Sequence, residues 1–331
     1  MKNYPWKSRA LCIEAPTPNE VDRFCDFIKT RLAADKIDLL VLLTRYRFEF
    51  DSHPECRGRE PLSKADAGRI ADACKAAGIR LVPKMNLLGH QNDADTGAVE
   101  NILVNHPDFD ESKGEENLEY CRSLCPSHPE TLPMVLDLVD EMIDAFRADA
   151  FHMGMDEVFE IAKCPRCKGK DPADLFANWV NAIAAHLKAR GVQPFMWGDR
   201  LLDSAKCGHG PWDASQNGTY TAIDKVDKDI VICDWHYHNW PRFPSVEFLA
   251  DAGFKIYLAT FNVAGNAKLF LDYAKEHDRG NILGVMETTW VPAKYMMDGL
   301  EGKELEDSGE LWFKDGTPHV VRCYKWLFEE A

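Results

Sequence analysis

The chain alternates short apolar runs with longer amphipathic stretches. The runs cover 10–15, 39–44, 79–86, 150–155, 194–199, 230–236, 255–261 and 282–290. Each has the length of a buried strand, and several are rich in Val, Ile, Leu or Phe, as strands covered on both faces are. Helical spacing fills the intervals. Over 21–32, Val21, Phe24, Cys25, Ile28 and Leu32 share one face. A helix over 63–77 would open at a capping Ser63 and stop at Gly78. Over 129–146, Leu132, Val135, Leu136, Val139, Met142, Ile143 and Phe146 recur at helical intervals, and a helix over 172–190 would end at Gly191. Weaker helical patterns cover 221–228, 245–251, 267–277 and 317–330. Eight strands alternating with eight helices predict a parallel α/β fold, and that number closes a (β/α)8 TIM barrel. The rival, an open doubly wound sheet, would carry a Gly-rich turn after its first strand, and none occurs here. No low-complexity linker interrupts the chain, so 1–331 reads as one domain with a long polar insert at about 90–129. An insert after the third strand falls where a barrel builds the wall of its site.

Composition narrows the partners. The 331 residues carry a formal charge of −15, which disfavours nucleic acid and anionic membranes because both are held by cationic side chains. No run of about 18 apolar residues is long enough to span a bilayer. The 11 Cys scatter, many of them in apolar runs such as those of Cys12, Cys25, Cys74 and Cys233, where a thiol acts as a small hydrophobe. That usage, with no apolar signal core at the N-terminus, leads us to expect a reducing, cytoplasmic location.

The sharpest chemical feature is Phe151-His152-Met153-Gly154-Met155-Asp156-Glu157 at the end of the fourth strand, where catalytic groups lie in this fold. Neighbours on a regular strand point to opposite faces. Both carboxylates can serve one pocket only if the strand breaks at its rim, which Gly154 permits. Trp197, Trp235 and Trp290 each fall at or near a strand end and could line a pocket there.

On these residues the chain resembles glycoside hydrolase family 20, the β-N-acetylhexosaminidases. His152-Met153-Gly154-Met155-Asp156-Glu157 matches the family's His-x-Gly-x-Asp-Glu signature. The segment from Leu81 to Gly89-His90 is similar to its strand three, Met196-Trp197-Gly198-Asp199 to strand five, Cys233-Asp234-Trp235 to strand six, and the stretch from Gly284 to Trp290 to strand eight. Leu124-Cys125-Pro126-Ser127-His128-Pro129-Glu130 resembles the hexosaminidase D-like branch, which lacks the extra N-terminal domain of many members.

The resemblance implies a retaining exo-enzyme that removes terminal β-linked GlcNAc or GalNAc from a glycan or glycoconjugate by substrate-assisted catalysis. The substrate's acetamido oxygen would attack the anomeric carbon to give an oxazolinium ion. Glu157 would protonate the leaving oxygen and then deprotonate water. Asp156, kept ionised, would accept the acetamide N–H and stabilise the developing positive charge. Trp197, Trp235 and Trp290 would cage the sugar, with His90 and Asp199 as polar contacts and His152 as a brace. No cofactor or metal is required. The chain also departs from the family. Where an Arg often follows strand one it has Glu14-Ala15-Pro16, and where a carboxylate often follows the strand-eight Trp it has Pro292. The family's acetamide-binding Tyr falls after strand seven, where this chain reads Phe261-Asn262-Val263, so Asn262 or Tyr237 would have to serve.

Two other constellations compete. Cys164-Pro165-Arg166-Cys167 with Cys121 and Cys125 could form a four-Cys zinc site, although the loose spacing also suits free thiols. His236 and His238, with His152 and Asp156, could serve a metal-dependent barrel hydrolase. A non-catalytic sugar-binding barrel is a third reading, and the intact Asp156-Glu157 pair argues against it.

Overall fold

The computed structural model describes residues 1, 4–92, 97–99, 101–114, 118, 120–303, 305 and 319–329. Eight parallel strands close into a barrel: β1 Ser8–Glu14, β2 Leu39–Leu43, β3 Arg80–Lys84, β4 Ala150–His152, β5 Gln193–Trp197, β6 Val231–Trp235, β7 Lys255–Thr260 and β8 Ile282–Thr288. Each strand pairs with the next, and β8 returns to β1. This is the predicted (β/α)8 architecture. Among the described residues no helix is long and apolar enough to cross a membrane.

The two-residue period of the strands sorts their side chains into two cores. Ala10 and Cys12 on β1, Val82 on β3, Phe195 and Trp197 on β5, and Val231, Cys233 and Trp235 on β6 belong to one cluster that fills the barrel. Leu11 and Ile13, Leu40 and Leu42, and Ile232 face outward and join the larger cluster under the helices. Strand parity therefore sets the last inward layer at the C-terminal mouth: Trp197 on β5 and Trp235 on β6.

The helices follow the apolar spacing. Lys64–Ala77 carries a full capping box between Ser63 and Asp66 and ends at left-handed Gly78. Thr131–Phe146 buries Val135, Val139, Met142, Ile143 and Phe146 of the expected face, with Met134 and Leu138 buried in place of half-buried Leu132 and Leu136, and Pro172–Ala189 forms where a helix was expected. Several expectations need correction. The helix over 21–32 is α-helical only for Val21–Phe27 and widens into a π-turn over Ile28–Leu32. The pattern over 221–228 is a 3-10 segment, Thr219–Asp224, entered from left-handed Gly218 and too short for an α-helix. Besides two single-turn helices, Ile102–Asn105 and Ser204–Cys207, the helix Ala293–Leu300 escaped the pattern, because Pro292 reads as a break but here occupies the cap position. The last helix covers His319–Phe328, and the outer residues of the stretch expected over 317–330 lie outside the described residues. Parts of the 90–129 insert, 93–96, 100, 115–117 and 119, also lie outside them.

Candidate active site

β4 is only three residues long, and its end builds the site. The chain turns at Gly154, whose φ is +76°. A Cβ there would sit 2.8 Å from Asn86 Oδ1 and 2.9 Å from the Met85 carbonyl oxygen, so only glycine fits. Met155 and Glu157 then take left-handed backbone, at φ 74° and 49°. Arg45, His90 and Trp290 do the same in the segments that follow other strands. Such conformations are costly for non-glycine residues and gather where a site over-determines them. Their result here is that Asp156 and Glu157, neighbours in sequence, both face one cavity.

That cavity, about 320 Å³, opens at the C-terminal mouth of the barrel. Asp156, Glu157, His90, Trp197, Trp235, Tyr237 and Trp290 all line it. The Trp197 and Trp290 rings lie 5.8 Å apart, and Trp235 lies 4.9 Å from Tyr237, centroid to centroid. Trp290 Nε1 donates to Tyr237 Oη at 3.1 Å, which fixes both rings.

Three titratable side chains meet in the cavity. His90 Nε2 lies 3.1 Å from Asp156 Oδ2 and 3.2 Å from Glu157 Oε2. Burial alone would neutralise the imidazole, but the Asp156 charge, with the acceptors of Asp156 and Glu157 beside it, holds it protonated well above the usual range. Burial would likewise push Asp156 up, yet the charges of His90 and Lys84 hold it well below the usual carboxylate range. Asp156 Oδ1 is buried with no hydrogen-bond partner among the described residues, and is thus a free acceptor on an ionised group.

Asp199 does not line the cavity. It is buried behind the pair, where Oδ2 accepts from the Glu157 N–H at 3.0 Å and from Arg200 Nε at 2.6 Å, and Oδ1 accepts from Trp235 Nε1 at 3.2 Å. The expectation of a sugar contact gives way to a positioning part: Asp199 ties the β4, β5 and β6 ends together. Burial, opposed by Arg200, raises its carboxyl to about 6. Asn262 also falls outside the lining, and Phe261 takes the place at the wall. Of the two donors offered for the acetamide oxygen, the fold brings in Tyr237. His152 is fully buried against Trp197 at 4.7 Å and kept neutral by its burial and by the Lys84 charge.

Sequence reasoning missed Lys84, Asn86, Arg45 and Tyr120, which line the cavity together with Leu43 and Asn92. Lys84 was legible by parity, since it follows Val82 by two on β3 and must point inward. Its ammonium donates to Asn86 Oδ1 at 2.6 Å and lies under the faces of Trp197 and Trp290 at 5.7 and 5.8 Å. Arg45, after β2, reaches the mouth from the strand next to the one where an Arg was sought, 3.9 Å from Glu14.

The metal-hydrolase set does not assemble. His236 is buried outside the barrel against Asp213 and Ser245, while His238 is exposed beside Asp213. Neither joins His152 or Asp156. His90, Asp156 and Glu157 stand close enough to share an ion, but neither His236 nor His238 is among them. The four-Cys set is also corrected: Cys121 is not part of it, and Glu111 stands with Cys125, Cys164 and Cys167 in its stead.

A carboxylate pair in an aromatic-walled pocket at the C-terminal mouth of a (β/α)8 barrel defines the class of barrel glycoside hydrolases. Residues 31–297 match the glycosyl hydrolase family 20 catalytic domain, and the chain belongs to that family. It is 22% identical over 245 residues to a lacto-N-biosidase of Bifidobacterium bifidum, covering 70% of this chain and 20% of that protein. It is 22% identical over 258 residues to a beta-hexosaminidase of Akkermansia muciniphila, covering 75% and 46%. The chain thus spans less than half the length of either relative. Among solved structures, Flavobacterium johnsoniae chitobiase superposes with a TM-score of 0.66 at 20% identity, covering 89% of this chain and 46% of that one. The beta-N-acetylhexosaminidase of Bacteroides fragilis superposes at 0.61 and 17%, covering 89% and 62%. At such identities the superpositions speak for the fold.

Proposed function

We propose that the chain is a retaining exo-β-N-acetylhexosaminidase that removes terminal β-linked GlcNAc or GalNAc by substrate-assisted catalysis. The observation that carries this is the asymmetry of the pair. Asp156 is held ionised by His90 and Lys84, with Oδ1 left free. An anion with one free oxygen can accept an acetamide N–H and stabilise the positive charge that grows as the acetamido oxygen attacks the anomeric carbon. Glu157, half-buried at the mouth, is within reach of the leaving oxygen and of the water that later replaces it. Tyr237 has Trp290 donating into its oxygen and can offer its own proton to the acetamide oxygen. Trp197 and Trp290 supply flat walls for the pyranose and the acetyl methyl. The cavity closes on Lys84 and Trp197 below, which suits one terminal sugar rather than the interior of a chain. Arg45 and Glu14 at the mouth can take sugar hydroxyls, a part that falls elsewhere in many family members. The segment from Leu124 to Glu130 supports the hexosaminidase D-like branch.

The test is a screen of aryl β-glycosides with and without the 2-acetamido group. We expect cleavage of the GlcNAc or GalNAc glycoside with retention of configuration, and almost none of the plain glucoside. Equal cleavage of the glucoside, or no cleavage of either acetamido sugar, overturns the reading.

A further inference from the structure

Away from the sugar cavity, two loops at the same rim meet in a cluster of a different chemistry. Glu111 and Cys125 come from the insert after β3, and Cys164 and Cys167 from the loop after β4. One ligand atom from each of the four lies within 4.8 Å of the others, and all four residues are buried. Cys125 Sγ is 3.4 Å from Cys164 Sγ and 3.7 Å from Cys167 Sγ. A disulfide would require about 2.05 Å. A tetrahedron of Zn–S bonds of about 2.3 Å has sulfur–sulfur edges of about 3.8 Å, close to the spacings observed.

The fourth corner is the second, independent observation. Glu111 is fully buried, a costly place for a carboxylate without a partner cation. Its Oε1 accepts from the Lys163 and Cys164 N–H groups at 2.8 and 3.4 Å. Its Oε2 has no hydrogen-bond partner among the described residues, and Glu111 forms no ion pair there. The backbone is already shaped: the Cys167 and Lys168 N–H groups both bond to the Cys164 carbonyl, at 3.0 and 2.8 Å, turning the two thiols of Cys164-Pro165-Arg166-Cys167 to one side. Lys163, Arg166 and Lys168 flank the turn and offset the anionic charge of the ligands.

We propose that Glu111, Cys125, Cys164 and Cys167 bind one structural zinc ion. Three thiolates select a soft divalent cation over magnesium or calcium, and four protein ligands leave no open position for catalysis. The ion staples the insert after β3 to the loop after β4. Those loops carry Tyr120, which packs on His90 at 5.5 Å and on Phe159 at 6.2 Å, so the staple holds one wall of the cavity. The site shares no ligand with the carboxylate pair and stands whatever sugar the cavity takes.

The test measures zinc in the purified full chain after dialysis and after reconstitution with zinc chloride, and repeats the loading with cobalt. We expect one zinc per chain, and with cobalt the charge-transfer absorption of thiolate ligation. C167S should lose both, and C207S, remote from the cluster, should keep both. E111Q preserves the shape and all three thiols, so a folded E111Q that holds zinc at least tenfold more weakly separates ligation from stability. Wild-type protein that retains no zinc after reconstitution overturns the proposal. So does an intact mass short by one pair of hydrogens, which would mark a disulfide, or an E111Q variant that binds zinc as tightly as wild type.

Discussion

His90 Nε2 stands 3.1 Å from Asp156 Oδ2, and each group shifts the other toward its charged form. Joined at that distance, they form an ion pair between the segments that follow two neighbouring strands, β3 and β4. The pair has a pH signature. The His90 pKa is raised on folding, so its contribution is full below the unfolded value of about 6.5 and is lost as pH rises through the folded value. The Asp156 pKa is depressed, so its contribution is full above about 3.9 and is lost as pH falls toward the lower folded value. The pair should therefore stabilise most between about pH 4 and 6.5. Melting temperatures across pH should decline on the alkaline side in wild type, and H90N should flatten that decline. An identical slope in both proteins would show that His90 does not carry the charge.

Glu157→Gln keeps the shape of the side chain and removes the proton. Hydrolysis of a glycoside with a poor leaving group should fall by about 10²–10⁴-fold. An activated aryl glycoside should lose less in its first step, because its leaving group needs little protonation. Steady-state and burst kinetics on the two substrates check this, and an equal loss on both would remove Glu157 from the acid role.

Asp156→Asn tests the anion. A thiazoline mimic of the oxazolinium ion should bind wild type far more tightly than the product sugar. The amide cannot supply the charge that the mimic's cationic form requires, so D156N should weaken it by about 10²-fold or more. Trp290→Ala should weaken substrate and mimic by similar factors, because a wall touches both. Calorimetric titration of the mimic into each variant distinguishes these outcomes.

Gly154→Ala places a methyl group against Asn86 and the Met85 carbonyl at a backbone angle of +76°. The left-handed backbone and the overlap together should cost about 2–4 kcal/mol. Denaturant unfolding should show that loss, and turnover should fall with it because the same turn aims Asp156 and Glu157. A stable, active G154A would mean that the β4 end can be built another way.

The barrel was legible from the sequence because its signals are local. Eight apolar runs of strand length, separated by helical spacing, leave little choice of architecture, and parity along each strand already turns Trp197 and Trp235 inward. The break at Gly154 was legible for the same reason, since two adjacent carboxylates can share a cavity only where a strand stops. What lies between loops was not. Asp199 carries the same sequence signal whether it faces a sugar or the Glu157 N–H; only the packing of β4 against β5 decides that it stands behind the pair. Asn262 and Phe261 are adjacent, and the turn after β7 alone chooses which reaches the wall. Arg45 arrives from β2 because barrel closure sets neighbouring strand ends side by side, whatever their separation along the chain. The cysteines show the limit most clearly. Spacing suggested Cys121 with Cys125, but the insert's path leaves Cys121 out and brings Glu111 to the thiols. Side-chain chemistry is written residue by residue, whereas which groups meet depends on long-range closure that no local pattern encodes.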